Sequence, residues 1–352
     1  MKIAMLLSGG VDSSVALAEL QRQGHQNITA FYLKIWLEDD LQYLGECPWE
    51  EDLVYARGVC EKLGIPLEIV SLQRAYWDRV VAHTVAELKL GRTPSPDILC
   101  NENVKFGAFA DLIDDSYTHI ASGHYARVEA DENNNARLLK GVDPIKDQTY
   151  FLSRLSQRQL DRALFPIGHL PKPEVRKLAS FYDLPTQDRP DSQGICFLGK
   201  LKFSEFVKAH LGEREGSIVD IDSDKVLGKH KGFWFHTIGQ RKGLGLSGGP
   251  WFVVQKDAAK NIVYVSCNES RLDRPQLNFV VGKMHWLDKP ENFGRDFHVK
   301  IRHGVRTTAC RLEDLSDDRM QIHLADPDGG IAPGQYAVIY DGETCIGSGV
   351  IE

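Results

Sequence analysis

The first apolar positions, Ile3 to Leu7, run without a polar interruption, the pattern of a strand buried on both faces. After a break of small residues, Ser13 to Gln23 reads as a helix stopped by Gly24. Ile28 to Ile35 is a second strand-like run. Leu53, Ala56, Val59, Cys60 and Leu63 then share one helical face, closed by Gly64 with Pro66 just beyond. Leu67 to Leu72 reads as a strand, Ala75 to Leu90 as a helix ended by Gly91, and Tyr117 to Ser122 as a short strand. This alternation predicts an α/β unit, a doubly wound parallel sheet with helices on both faces. Within it, Tyr125–Val128 and Arg137–Leu139 flank the polar run Asp131–Asn135 and predict a hairpin.

The rhythm changes near residue 200. Phe203 to Leu211 is a last short helix, and short alternating stretches then dominate. Trp251–Gln255, Ile262–Ser266, Phe279–Met284, Phe297–Ile301, Met320–Leu324 and Tyr336–Tyr340 have the spacing of small all-β units, one of them a barrel. Arg271–Gln276 is the predicted boundary between two such units.

Composition adds limits. A chain of 352 residues is long enough for two or three domains. The first strand follows Met1 directly and no apolar run approaches membrane length, so a cytoplasmic protein with no membrane contact is expected. The net charge of −7 argues against a surface coated in positive charge. Local basic runs remain. Lys225 to Lys242 holds five Lys/Arg and no acid, with Phe233, Trp234 and Phe235 interleaved; Arg295 to Arg311 holds five Lys/Arg against one Asp. Such runs suit phosphate contacts and base stacking. Seven cysteines, at 47, 60, 100, 196, 267, 310 and 345, include no CxxC pair, which predicts neither a disulfide scaffold nor a zinc site of usual spacing. Cys47, Cys60, Cys267, Cys310 and Cys345 read as small buried hydrophobes.

Three stretches carry candidate chemistry. Ser8-Gly9-Gly10-Val11-Asp12-Ser13 joins the first strand to the first helix and fits neither the dinucleotide loop nor the Walker loop, having no lysine. Its backbone N–H groups, the Ser8 and Ser13 hydroxyls and a helix N-terminus suit an anion. Asp12 is a candidate for a metal accompanying that anion, or for a helix cap. In GRTPSPDILCNENVKFGAF, Pro94 and Pro96 stiffen the approach, Asp97 is placed as an N-cap, and Cys100 becomes the third helical residue, a setting that favours a thiolate. In DRPDSQGICFLGK, Cys196 follows Ser-Gln-Gly and lies among Arg189, Asp191 and Lys200, a setting for a mobile, reactive thiol. Two such thiols beside a phosphate loop suit sulfur transfer, one carrying a persulfide and one releasing it as a disulfide forms.

The loop resembles that of the PP-loop ATP pyrophosphatases. With P-D-I-L-C-N-x-x-V-K-F, S-G-H-Y-A-R, K-D-Q-T-Y-F-L, D-S-Q-G-I-C-F-L-G and H-T-I-G-Q-R-K-G-L following in order, nearly the whole chain resembles the tRNA-uridine 2-sulfurtransferases, also called tRNA-specific 2-thiouridylases (MnmA family). The resemblance implies an adenine nucleotide alpha hydrolase-like PP-loop domain over 1–200, a small central domain over 201–271 and a C-terminal β-barrel that contacts tRNA over 272–352. It implies that Leu6, Leu7, Ser8, Gly9, Gly10, Val11, Asp12, Ser13 and Leu33 line an ATP site, with Gly123 closing on the nucleotide. Ser95, Pro96 and Asp97 would face the target uridine. His124, Lys146, Asp147, Gln148, Arg302, His303 and Gln335 would touch tRNA.

The implied reaction adenylates O2 of the wobble uridine with ATP and Mg²⁺. Sulfur from a Cys196 persulfide then replaces the activated oxygen, with Cys100 as nucleophile and Asp97 as candidate acid or base. The products are 2-thiouridine, AMP, pyrophosphate and a transient Cys100–Cys196 disulfide. The partners implied are the Lys, Glu and Gln tRNAs, a cysteine desulfurase or sulfur-relay protein, and a reductant. Three other readings compete: an ammonia-using amide synthetase of the same loop class, a tRNA-binding protein that keeps ATP as a structural ligand, and a redox sensor that needs no ATP.

Overall fold

The computed structural model describes residues 1–35, 48–191, 203–268 and 276–352. Strands β1 (Ile3–Leu6), β2 (Ile28–Lys34), β3 (Leu67–Ser71) and β4 (His119–Ala121) join β7 (Ala163–Leu164) in one parallel sheet of order β3-β2-β1-β4-β7. β1 is buried throughout, as a strand covered on both faces requires. One face packs on α1 (Val11–Arg22), α2 (Pro48–Leu63) and the later helix Lys172–Phe181 through Val15, Ala56, Val59 and Val175. The other packs on α3 (residues 73–89) and α4 (residues 96–112) through Tyr76, Val80, Cys100 and Val104. The predicted doubly wound unit is therefore present.

Two helices depart from the sequence expectation. α1 begins at Val11, two residues before Ser13, with Gly10 as its extended cap. α3 and α4 each carry a π-helical stretch, Trp77–Val81 and Asn101–Ala108. In α4 the Glu102 and Phe106 carbonyls accept from the Gln159 side chain, at 2.9 and 3.0 Å. A remote amide thus satisfies groups that regular helix bonding would have used.

The hairpin forms as β5 (Ala126–Ala130) and β6 (Ala136–Lys140), but it does not belong to the parallel sheet. β6 pairs with β17 (Thr344–Ile351), so a piece of the first 200 residues extends the C-terminal sheet. That sheet closes as β12 (Gln276–Trp286), β15 (Arg319–Asp328), β14 (Thr308–Ser316), β13 (Phe297–Lys300), β16 (Tyr336–Asp341) and β17, with β12 returning to β17. It is a six-stranded barrel with an apolar interior including Val281, Val299, Ile322 and Ile339. Between the two lies a four-stranded sheet of order β10-β11-β8-β9, formed by Phe252–Asp257, Ile262–Ser266, Gly216–Asp220 and Val226–His230.

The central unit corrects one expectation. Phe233 is buried, and Trp234 and Phe235 are partly buried and pack against core clusters, so the three do not form an open stacking platform. Lys229 pairs with Glu215 and Lys231 with Glu213 at the surface. Cys60, Cys310 and Cys345 are buried as expected, and burial pushes their thiols up to about 11, 12 and 12. Cys267 is exposed, against the expectation of packing; Cys47 lies outside the described residues.

His236 makes a measurable prediction. It is 8% exposed, with its ring centroid 5.4 Å from that of His230. Burial, with His230 and Lys256 beside it, lowers its pKa to about 4. The unfolded chain takes up that proton near pH 6.5, so the folded state loses stability as pH falls below this, by about 2 kcal/mol at pH 5 from this group alone. His236→Phe should flatten the decline of Tm between pH 7 and pH 5; an unchanged slope would refute the assignment.

Candidate functional site

In the parallel sheet the strand order reverses at β1, between β2 and β4. Ligands of open α/β sheets bind beyond the strand ends at such a switch point. Two loops meet there. After β1, Gly9 adopts φ +77°, and a Cβ on it would stand 2.2 Å from the Asp52 carbonyl oxygen of α2. After β4, a Cβ on Gly123 would stand 2.6 Å from the Ser13 nitrogen. Both positions need glycine because backbone meets backbone. Ser8 and Ser13 hydroxyls lie 3.1 Å apart, and Ser13 Oγ donates to the Gly10 carbonyl at 3.1 Å. Leu6 and Leu7 are buried, Val11 is buried in the first turn of α1, and Leu33 packs against the core at the end of β2. The first-turn N–H groups of α1 lack helical partners and face this end of the sheet.

Asp12 is the only acid of the loop. Its Oδ1 accepts from Tyr125 Oη at 2.7 Å and from Lys172 Nζ at 2.6 Å. Burial and the neighbouring Asp12 push the Tyr125 phenol far up, so it stays protonated and donates to Asp12. One carboxylate cannot complete a metal's coordination. It fits a Mg²⁺ that arrives on a nucleotide and takes most of its ligands from phosphate and water.

Residues 187–191 are tied to this loop. Arg189 donates to the Gly9 carbonyl at 2.7 Å and to Asp52 at 2.8 Å, and lies over the Tyr55 ring. Asp191 accepts from Lys146 at 2.7 Å, from Lys172 at 2.8 Å and from Arg176. Burial alone would raise the Asp191 carboxyl, but the bonds from Lys146, Lys172 and Arg176 outweigh it and hold the group well below the usual carboxylate range. The sequence reading placed Arg189 and Asp191 as charges around Cys196; both are committed to the loop and its supports. Cys196 and Lys200 themselves lie outside the described residues.

Cys100 lies on α4, which begins one position after Ser95. The expected start is corrected: Ser95 is the N-cap and makes no side-chain cap bond, Pro96 is the first helical residue, Asp97 the second and Cys100 the fifth. The proline sets this, since its fixed φ and missing N–H suit the first position. Cys100 is therefore a turn from the helix end, and it is fully buried, at 0% exposure, in the core cluster that includes Leu6. The approach is clamped from two sides. Gly91 packs on Phe233 and Ala258 of the central unit. Thr93 N–H donates to the Pro333 carbonyl at 2.8 Å, where Gly334, with φ +91°, lets the barrel come close to Arg92 and Thr93.

The barrel also reaches the site through His303. Its ring stacks on Phe151 at 4.5 Å and approaches Tyr150. Burial and Lys300 lower its pKa against the opposing pull of Asp147 and Asp97, whose charges are close enough to act on it. Asp147, expected to touch RNA, is turned inward instead. It accepts from Gly141 N–H at 3.1 Å and Thr149 Oγ1 at 2.9 Å, and pairs with Lys300 at 2.6 Å, the two side chains being 2% and 3% exposed. Its place is a joint between α/β unit and barrel. Gln148 is likewise engaged, accepting from Tyr125 N–H at 3.0 Å. His124 bonds to Ser122 Oγ at 2.8 Å, and burial lowers its pKa well below the ordinary value. Arg302 pairs with Asp328 yet stays 48% exposed, and Gln335 is half-buried.

Sequence reasoning missed Lys172, Arg176, Tyr125 as an Asp12 donor, and Phe151. Tyr125 and Phe151 stood inside recognised motifs; Lys172 and Arg176 sit on the helix Lys172–Phe181, which the sequence reading did not single out.

Three family models cover the chain: a tRNA methyl transferase HUP domain over residues 1–200, a tRNA methyl transferase PRC-barrel domain over 204–267 and an aminomethyltransferase beta-barrel domain over 277–351. The chain is 45% identical over 366 residues to a tRNA-specific 2-thiouridylase MnmA of Parabacteroides distasonis, spanning 100% of this chain and 99% of that one. It is 43% identical over 357 residues to tRNA-specific 2-thiouridylase MnmA 1 of Bacteroides thetaiotaomicron, with the same shares. Among solved structures, the U34-tRNA thiolase NcsA of Methanococcus maripaludis matches 55% of this chain and 61% of its own at 17% identity and a TM-score of 0.34.

Proposed function

Because the chain belongs to the tRNA-specific 2-thiouridylase family, we propose that it replaces the C2 oxygen of the wobble uridine of tRNA by sulfur, in a reaction that converts ATP to AMP and pyrophosphate. One observation carries the reading. The lysine-free loop stands at the switch point of the sheet, and α4, with Asp97 and Cys100, packs in the same core cluster as Leu6 at the end of β1. In this reading the phosphate cradle and the thiol-bearing helix serve one reaction.

In this reading Leu6 to Ser13, Leu33 and Gly123 bind ATP, largely through backbone. Asp12 would hold, from the protein side, a Mg²⁺ brought by ATP, and such an ion would supply charge neutralisation for the pyrophosphate. Uridine O2 attacks the α-phosphate, and the first-turn N–H groups of α1 stabilise the charge that develops. Asp97 takes or returns the base proton, beside Ser95 and Pro96. The Cys100 thiolate attacks the Cys196 persulfide, forming the Cys100–Cys196 disulfide and releasing hydrosulfide. Hydrosulfide adds at C2 and AMP leaves; alternatively the persulfide attacks C2 directly before the disulfide closes. An external reductant returns two electrons to the disulfide, and a cysteine desulfurase or relay protein reloads Cys196. His124, Lys146, Gln148, Arg302, His303 and Gln335 are assigned to RNA contact in this reading, with the Lys, Glu and Gln tRNAs as the expected substrates.

The test is mass spectrometry of tRNA nucleosides from cells lacking the gene. Wobble 2-thiouridine should disappear and return on complementation. Undiminished 2-thiouridine would overturn the proposal.

A further inference from the structure

The loop between β1 and α1 contains no lysine, yet an ammonium reaches it from 160 positions along the chain. Lys172 opens the helix Lys172–Phe181, and its backbone N–H donates to Asp143 Oδ2 at 2.9 Å, which fixes where that helix starts. Its side chain is 10% exposed, and Nζ stands 2.6 Å from Asp12 Oδ1 and 2.8 Å from Asp191 Oδ1. The same Asp12 oxygen takes the Tyr125 hydroxyl, and Asp191 also takes Lys146 and Arg176. Lys146, Lys172 and Arg176 thus stand among Asp12, Asp143 and Asp191, three cations among three carboxylates, and Lys172 is the cation that pairs with the loop's own Asp12.

We propose that Lys172 is a positioning residue of the ATP reaction, the cation that the loop's own sequence omits. It holds Asp12 in one orientation and cancels its charge where the anionic oxygens of the triphosphate must lie. The inference rests on the adenylation reading above. Before the nucleotide and its Mg²⁺ arrive, Asp12 without the ammonium keeps the Tyr125 hydroxyl but has lost its charge partner, and is freer to turn. A purely structural pair would affect melting alone; a positioning pair acts on nucleotide affinity.

The experiment measures pyrophosphate release from ATP by the full-length protein with tRNA. Lys172→Met should raise the KM for ATP by roughly tenfold or more with a much smaller fall in kcat, the mark of lost binding. Lys172→Arg, which keeps the charge, should return KM to within about threefold of the unaltered protein. Should Lys172→Met fail to fold, Lys172→Gln decides, since it keeps a hydrogen-bond donor and loses only charge; it too should raise KM. A KM within about twofold of the unaltered protein in a folded Met or Gln variant would overturn the inference. So would equal impairment in the Arg variant. If the unaltered protein releases no pyrophosphate, the adenylation reading falls and this inference with it. Normal release with variants unchanged in KM overturns the inference alone.

Discussion

Cys100→Ser is expected to lower 2-thiouridine formation by roughly a thousandfold or more, while pyrophosphate release on tRNA continues. The thiol acts after adenylation. Its sulfur must bond to Cys196 as the terminal persulfide sulfur departs, and a serine hydroxyl cannot form that bond. Binding of ATP belongs to the loop at Ser8–Ser13, on a different element, so activation of uridine should outlast the loss. Adenylated tRNA, or AMP from its hydrolysis, should build up in place of thiolated product. The burial of Cys100 in the core keeps its sulfur away from bulk water and oxidants, which suits a group that must meet one partner only. Cys196→Ser should have the same outcome, because the persulfide then has no carrier. Full activity in Cys196→Ser would sink the sulfur mechanism and favour an ammonia-using synthetase of the same loop class. Thiol oxidation with no need of ATP would point to a redox sensor. A tRNA complex that forms no AMP would point to a binding protein.

Asp147→Ala is expected to destabilise the protein by about 3–5 kcal/mol, the usual result of removing one partner from a buried ion pair. The loss strands the Lys300 ammonium, which is 3% exposed, and deprives Gly141 N–H and Thr149 of their acceptor. The reverse change should cost less. Lys300→Met leaves Asp147 with those donors still in place, so about 1–3 kcal/mol is expected. The asymmetry is the test: chemical denaturation should rank Asp147→Ala below Lys300→Met. Equal losses, or a loss under 1 kcal/mol in Asp147→Ala, would show that this pair does not bind barrel to α/β unit. Because His303 sits three positions after Lys300 and stacks on Phe151, loosening the joint should also weaken tRNA binding.

Much of this was legible in the residues. The apolar runs Ile3–Leu7 and Ile28–Ile35 and the helical face of Leu53 to Leu63 dictated buried strands and an amphipathic helix by local pattern alone. Gly24, Gly64 and Gly91, all at positive φ, ended helices where they were expected to. The loop at Ser8–Ser13 showed its anion-binding character because small residues between strand and helix leave few other uses. Three features were not legible. Asp97 was read as a cap, but Pro96 set the start of α4 two residues earlier. Phe233, Trp234 and Phe235 were read as a stacking surface; burial depends on what packs over them, and the chain's local pattern does not contain that. The hairpin at Asp131–Asn135 was visible, but its attachment to β17 was not.

The sequence by itself determined most of the elements and the loop that can cradle phosphate, since each depends on residues within a few positions of one another. Only the tertiary structure decided that Lys172 serves Asp12 across 160 positions, that Arg189 holds Gly9 across 180, and that Asp147 is a buried joint to Lys300. The physical reason is the range of the forces. Periodicity and turn chemistry act along the chain, whereas an ion pair is defined only once folding has brought its two ends within hydrogen-bond distance.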